Sequence, residues 1–286
     1  TSTGVLRHLK KQFGLTRRNK LGHAGTLDPD ATGLLIACFG QATKLVPWLM
    51  ADEKTYTATG KLGAETLTDD AAGDVILERA WDHVTDASLH AAVGTFSGEI
   101  QQRPPRVSAL KLGGERLYER VRRGENIDDE IEARPVLLHR LEVADVSLPE
   151  FSLSMVVGKG FYVRSLVRDV ARKLDTAAHV TALRRTAVGR YNVSDAHSLD
   201  AITGDQLIPL EQAVDHLPTL RVEGTAAEWL HNGRPFAEGD DATLDAGTPD
   251  DADIRALGPD GRLMAIVSRQ DNGTFSVVRG FQNTGA

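Results

Sequence analysis

The run Leu21-Gly22-His23-Ala24-Gly25-Thr26-Leu27-Asp28-Pro29-Asp30-Ala31-Thr32-Gly33-Leu34-Leu35 sets one carboxylate in a turn punctuated by three glycines and stiffened by a proline. Pro29 fixes its own φ and biases Asp28 toward extended backbone, while Gly22, Gly25 and Gly33 permit close approach or positive φ nearby. Such a turn can aim a side chain outward, which makes Asp28 the candidate reaction centre. Asp-Pro with flanking glycine is also ordinary turn chemistry ahead of an apolar strand, here read over residues 34–39.

Upstream of the turn, Thr1, Ser2 or Thr3 can cap a helix whose Val5, Leu6, Leu9 and Phe13 share one face, and Gly14 can end it. Downstream, residues 42–50 read as a short helix disturbed by Pro47, and residues 54–62 alternate like a half-buried strand. Residues 65–86 form an acidic connecting excursion. Residues 88–96 look helical, 107–112 strand-like, and 115–123 a short basic helix. Strands follow over 136–146 and 151–157, separated by a turn at Pro149. A glycine loop then leads into a helix over 163–174 that buries Val163, Leu166, Val167, Val170 and Leu174. Long alternating strands among scattered helices predict an α+β fold, with a large mixed, mainly antiparallel sheet flanked by helices rather than regular βαβ winding.

Composition shifts near Pro209, and the chain beyond Leu217 is rich in acids. Short strands over 254–257, 263–267 and 275–278, two of them joined by Pro259-Asp260-Gly261, predict a small β-rich domain. The expected division is residues 1–212 and 213–286, with residues 238–253 as a flexible loop.

At 286 residues and 41% hydrophobic content the chain can bury a substantial core. Its apolar stretches are far shorter than a bilayer span and no charged-then-apolar leader opens it, so the expectation is a cytoplasmic protein with no membrane partner. Cys38 is the only cysteine, which excludes an intrachain disulfide and a cysteine zinc cluster and leaves packing as its role. A net charge of -7 opposes nucleic-acid binding, but that charge is segregated. Residues 1–27 hold Arg7, Lys10, Lys11, Arg17, Arg18 and Lys20 with no acid, whereas residues 205–260 hold 13 acids against three bases. Residues 103–123 carry seven bases against two acids, and residues 159–190 eight against two. Brought together, the three basic stretches would make a phosphate-binding face; singly, each reads as solvated surface.

The whole run from Gly22 to Leu35, followed by Gly40-Gln41-Ala42-Thr43-Lys44, closely resembles the catalytic motif of the TruB family, the bacterial tRNA pseudouridine synthases that act on uridine-55. Lys54-Thr55-Tyr56 matches that family's second active-site segment, and residues 102–111 with Tyr118 its proline-rich segment. Lys159-Gly160-Phe161-Tyr162-Val163-Arg164-Ser165-Leu166 resembles its glycine-aromatic-x-arginine element, and Val180-Thr181-Ala182-Leu183-Arg184-Arg185-Thr186 the apolar-arginine segment beyond. The order of segments also agrees, and the similarity covers about residues 1–200, with a PUA-like RNA-binding domain implied for the tail. Two departures stand out. The family's opening strand, with Lys-Pro-x-Gly before Thr-Ser, is absent from a sequence that starts at Thr1-Ser2, and Phe161 occupies a place where a small polar residue is usual.

The resemblance implies a pseudouridine-synthase fold and a cofactor-free, metal-free isomerisation of uridine-55 in the T-loop of tRNA. Breaking an N-glycosidic bond, rotating the uracil and rejoining it through C5 needs no redox step, and a carboxylate suits a reversible covalent bond. Asp28 would be that nucleophile; attack at ribose C1′, attack at uracil C6 and a glycal route are all open. Arg164 would pair with Asp28, holding it ionised and oriented. Tyr56 would stack on the everted base near the proton lost last, with Tyr162 and Leu183 as pocket walls, although all three residue types commonly serve as core. His23 could fill the gap left by the flipped nucleotide or meet its phosphate, and no second ligand at spacing suits it for metal. Lys44 is a further substrate-binding candidate. Arg164, Arg168 and Arg172 recur every four residues, so Arg168 and Arg172 are expected to reach phosphates of the tRNA T-arm and elbow or to face solvent. The protein is expected to be a monomer with no protein partner. Two other readings carry weight: a glycoside hydrolase, which needs a second paired acid, and a non-catalytic RNA-binding protein. A tRNA-folding role is compatible with catalysis, because opening the elbow could help misfolded tRNA rearrange.

Overall fold

The structure, a computed structural model, describes residues 1–51, 53–127 and 130–281. Its central strand, Lys54–Leu62, follows the alternation of its sequence, burying Lys54, Ala58, Gly60 and Leu62. It pairs antiparallel with Glu150–Val157 on one side and Ala178–Val188 on the other. The resulting seven-stranded sheet runs in the order Tyr191–Asn192, Ala178–Val188, Lys54–Leu62, Glu150–Val157, Arg134–Ser147, Gly98–Gln102, with Thr32–Gly33 added parallel to Ala178–Val188. Helix Val163–Lys173 lays Leu166, Val167 and Val170, all fully buried, into one cluster with Ala58, Leu62, Leu153, Met155 and Val157. Each such apolar side chain contributes about 1.5–3 kcal/mol on burial. Gly60 makes the close approach possible: a Cβ there would meet Phe151 Cζ at 2.6 Å and Val167 Cγ1 at 2.8 Å.

Contacts divide the chain into two compact units. The first comprises residues 1–2, 26–35 and 50–196, and the second residues 3–25, 36–49 and 197–286. In the second, a six-stranded sheet runs Phe236–Ala237, Thr274–Gly280, Leu263–Arg269, Asp253–Leu257, Thr219–Val222, Ala242–Leu244. With helix Gly224–His231 it encloses Leu220, Val222, Leu230, Phe236, Ile254, Val267 and Phe275. The same unit holds the short ladder of Leu21–His23 with Ala37–Phe39, on which the Phe13 and Phe39 rings meet edge-on at 5.2 Å.

The α+β class agrees with the sequence reading, while several elements differ from it. The apolar run 34–39 is not one strand. Leu34 donates its N–H to the Arg185 carbonyl, whereas Ala37–Phe39 pairs with Leu21–His23, so two competing ladders split the run. The strand Ala178–Val188 was hidden in the sequence because shifts between Val180 and Ala182 and between Arg185 and Ala187 break its alternation. Residues 107–112 form only the two-residue strand Lys111–Leu112, which turns back on Glu115–Arg116 through Gly113 and Gly114, both at positive φ. Residues 238–253, expected as a loop, contain the strand Ala242–Leu244. The acidic excursion begins as a hairpin, Ala64–Thr66 with Val75–Glu78. Pro47 falls in the first turn of helix Val46–Ala51, where no intrahelical donor is required of it.

One contact fixes how the Asp28 loop leaves the turn. Gly33 has φ +102, and a Cβ on it would stand 2.1 Å from the Arg185 carbonyl oxygen. Gly33→Ala therefore combines a disfavoured backbone with a backbone clash and is expected to lower stability by about 3 kcal/mol or more. Denaturant unfolding checks this, and a loss under about 1 kcal/mol would show that the strand pairing relaxes freely.

No helix among the described residues is long and apolar enough to cross a membrane. Among the same residues no group of three or more His, Cys, Asp or Glu is placed to hold a metal ion.

Candidate active site

The Asp28 carbonyl accepts the Ala31 N–H at 3.1 Å, closing a turn with Pro29 in its second position. Just before it, the Ser2 hydroxyl accepts the Leu27 N–H at 2.9 Å and donates to the Leu27 carbonyl at 3.2 Å. Just after it, Thr32–Gly33 joins the sheet at Arg184 and Arg185, and Leu34 donates to the Arg185 carbonyl at 2.8 Å. Backbone anchors on both sides hold a carboxylate that is still 35% exposed.

Arg164 grips that carboxylate. Its Nη2 donates to Oδ1 at 3.0 Å, while its Nε lies 2.8 Å from Oδ2 as a charge contact without hydrogen-bond alignment, so the two prongs are one hydrogen bond and one ion pair. The guanidinium is only 6% exposed, and its other contacts hold it still. Nη1 donates to the Thr68 carbonyl at 2.5 Å, both Nη atoms reach the Val107 carbonyl at 3.2 Å, and Asp70 Oδ2 lies 3.5 Å from Nη1. Asp70 is fixed in turn by the Thr68 hydroxyl at 2.6 Å and the Ala72 N–H at 3.1 Å. The helix carrying Arg164 starts at a clamp: buried Gln102 accepts the Tyr162 N–H at 2.7 Å and donates to the Tyr162 carbonyl at 2.9 Å.

The next two arginines of the ridge, expected at phosphates or in solvent, are both paired with acids. Arg168, 7% exposed, pairs with Asp69 at 2.7 Å and Asp169 at 3.0 Å and donates to the Arg103 carbonyl at 2.8 Å, so its guanidinium is turned inward rather than presented to phosphate. Arg172 is half-exposed, but Glu65, 4% exposed, takes it in a second two-pronged pair at 2.8 and 2.7 Å. The acidic excursion thus returns beneath the arginine helix, placing Glu65, Asp69 and Asp70 against Arg172, Arg168 and Arg164. Burial pushes the Asp69 and Asp169 carboxyls above the usual carboxylate range, with Arg168 opposing in both cases. In the basic stretch 103–123, Arg120 and Arg123 are likewise engaged by Glu115, Glu125 and Glu130.

Tyr56 lies half-buried on the central strand, directly across from Arg185 on one side and Met155 on the other. Burial raises its phenol above the ordinary value; Arg185, hydrogen-bonded to it, pulls the other way, and the charge of Asp28 adds to the rise. Leu183 is half-buried against the main core. The Tyr162 ring carries the Arg134 guanidinium 5.4 Å from its centre, and Phe161 packs on the main core. His23 and Lys44 belong to the second unit. His23 ends the strand Leu21–His23. The Lys44 ammonium donates to the Gly280 carbonyl at 2.7 Å and to Gln41 Oε1 at 3.1 Å, and stands 5.4 Å from the centre of the Phe281 ring.

Ser2, Asp70 and Arg185 hold parts here that no sequence pattern assigns them, Ser2 having only a capping signal and Arg185 only its place in a resembling segment. A serine beside a helix start and an aspartate in an acidic stretch carry no spacing signal. Arg185 could have been suspected from its place two residues from both Leu183 and Ala187, between polar Arg184 and Thr186. Together the residues present an oriented, half-exposed carboxylate held by a buried cation, in electrostatic reach of a tyrosine phenol. This arrangement suits nucleophilic attack followed by release.

Residues 10–163 match the model of the TruB family pseudouridylate synthase N-terminal domain, and residues 164–218 that of the tRNA pseudouridylate synthase B C-terminal domain. A tRNA pseudouridine synthase B of Arthrobacter sp. (strain FB24) is 39% identical over 280 residues, covering 94% of this chain and 89% of the relative. The Thermobifida fusca (strain YX) protein of the same name is 37% identical over 289 residues, covering 97% of this chain and 94% of the relative. Two solved structures share the fold. A chain of an H/ACA RNP bound to a substrate RNA containing 2'-deoxyuridine superposes with a TM-score of 0.72 at 22% identity, covering 99% of this chain and 81% of that one. A chain of a Cbf5-Nop10-Gar1 complex does so with a TM-score of 0.72 at 24% identity, covering 99% and 80%. Family signatures running on from the Asp28 loop through the Arg164 helix, and relatives aligned over nearly the full length, place this chain in the TruB family of pseudouridylate synthases.

Proposed function

We propose that the chain isomerises uridine-55 in the T-loop of tRNA to pseudouridine, with Asp28 as the nucleophile acting on a flipped-out nucleotide. The observation that carries this reading is the two-pronged grip of Arg164 on a carboxylate left 35% exposed in a loop tied down at both ends. Tyr56 stacks on the base and Arg164 orients the nucleophile, while Tyr162 and Leu183 bound the pocket. His23 and Lys44 of the second unit contribute to holding the RNA. Residues 1–212 serve catalysis and 213–286 form a PUA-like RNA-binding part. The enzyme works as a cytoplasmic monomer on the T-arm and elbow without cofactor, and prising the elbow open lets it assist tRNA refolding. Eversion costs a few kcal/mol, which stacking and phosphate contacts must offset. A hydrolase would need a second acid free to protonate a leaving group. Asp70, the other carboxylate on Arg164, is instead pinned by Thr68 and Ala72.

The test uses a tRNA transcript labelled with 5-tritiated uridine. Joining C5 to the ribose displaces the hydrogen on C5, so tritium should enter water in step with pseudouridine mapped to the T-loop. Binding without release would leave an RNA-binding protein and refute the proposal.

A further inference from the structure

Arg185 heads the large side chains that are fully buried among the described residues, at 1% exposure, and none of the roles above uses it. A guanidinium stays protonated at any relevant pH, so the interior holds a permanent cation that is costly unless its donors are matched. Its Nε donates to the Leu34 carbonyl at 2.8 Å, six positions after Asp28, while the Arg185 carbonyl accepts the Leu34 N–H at 2.8 Å. Its Cα stands opposite Tyr56 in the ladder, and its side chain hydrogen-bonds the Tyr56 phenol. The pairing register shifts directly after Arg185, and Gly33 lets the loop strand lie against its carbonyl. One side chain therefore touches both the strand that carries the tyrosine and the chain leaving the aspartate.

We propose that Arg185 is a positioning residue, which donates to the Tyr56 phenol oxygen and fastens it to the exit of the Asp28 loop, so that stacking ring and attacking carboxylate keep one spacing. This rests on the reading above that Tyr56 and Asp28 act on an everted uridine. The permanent charge has a second effect on the same atom. Burial favours the neutral phenol and Arg185 opposes burial, so without the guanidinium the phenol titrates still higher. Burial therefore moves the Tyr56 phenol up from its ordinary value, with Arg185 holding part of that rise back. Removing Arg185 moves that ionisation further up.

The full chain is prepared as wild type, R185M, R185K, Y56F and Y56F combined with R185M. Single-turnover pseudouridine formation, tRNA affinity and tyrosinate absorbance against pH are measured, with Y56F supplying the assignment of Tyr56. R185M should slow the bound-state rate about 10- to 100-fold at unchanged tRNA affinity, and R185K should recover part of the loss. In the Y56F background R185M should add little, because its route is already removed, and Tyr56 ionisation should move to higher pH in R185M. An equal loss in the wild-type and Y56F backgrounds, or an unmoved titration, would reduce Arg185 to packing and overturn the proposal. If R185M fails to fold, R185K carries the same comparisons. A wild-type chain inactive on tRNA would refute the proposed function instead, while the titration would still decide whether Arg185 controls the phenol.

Discussion

Asp28→Asn should abolish turnover while leaving tRNA capture intact. The amide keeps the size and the turn, and one of its faces can still accept the Arg164 Nη2 that now meets Oδ1 at 3.0 Å. The other face would set an NH2 group against the Arg164 Nε, donor to donor, where Oδ2 now lies at 2.8 Å. An amide cannot attack and then depart as a carboxylate does, so the bound-state rate should fall by at least about four orders of magnitude. Affinity for tRNA should change by no more than about twofold, since phosphates and the loop shape supply it. Single-turnover tritium release and filter binding on the same preparation check both halves. A residual rate above about one hundredth of wild type would remove Asp28 from the bond-breaking step.

Arg164→Lys should come next in severity, because the charge survives but the fork does not. Arginine offers five donors in a plane, and here they span both Asp28 oxygens together with the Thr68 and Val107 carbonyls. An ammonium is a point charge with three donors and cannot meet all of these at once. The carboxylate would keep a counter-charge and lose its aim, which predicts a rate loss of about two to three orders of magnitude with affinity nearly unchanged. Rates at saturating tRNA, set beside binding constants, separate the two. A variant within about tenfold of wild type would show that charge alone suffices.

Much of the scaffold around these residues could be read from local pattern. The helix over 163–174 announces itself by apolar residues at helical spacing, and the strand 54–62 by alternation. The pairing of Asp28 with Arg164, 136 positions apart, has no such local trace. It was reachable only because whole segments resembled a family. Where pattern misled, a long-range partner was the reason. Arg168 and Arg172 lie on one ridge, which in sequence looks like a surface for phosphate, because nothing local shows Glu65 and Asp69 folding back to meet them. The run 34–39 looks like one strand because sequence does not reveal that Arg185 claims its start and Leu21–His23 its end. The strand Ala178–Val188 was hidden by its own bulges, and with it the inward turn of Arg185.

The acids beneath the arginine helix also decide how ionic strength divides its influence. Glu65, Asp69 and Asp169 already occupy Arg172 and Arg168, so that ridge neutralises few phosphates of an arriving polyanion and releases few of its condensed counterions. Added salt therefore weakens docking at other cationic regions, while the Asp28 pair, buried on its Arg164 side and 35% exposed at the carboxylate, is screened less than a surface pair. Salinity tunes how often an RNA is caught, not how fast a caught one reacts.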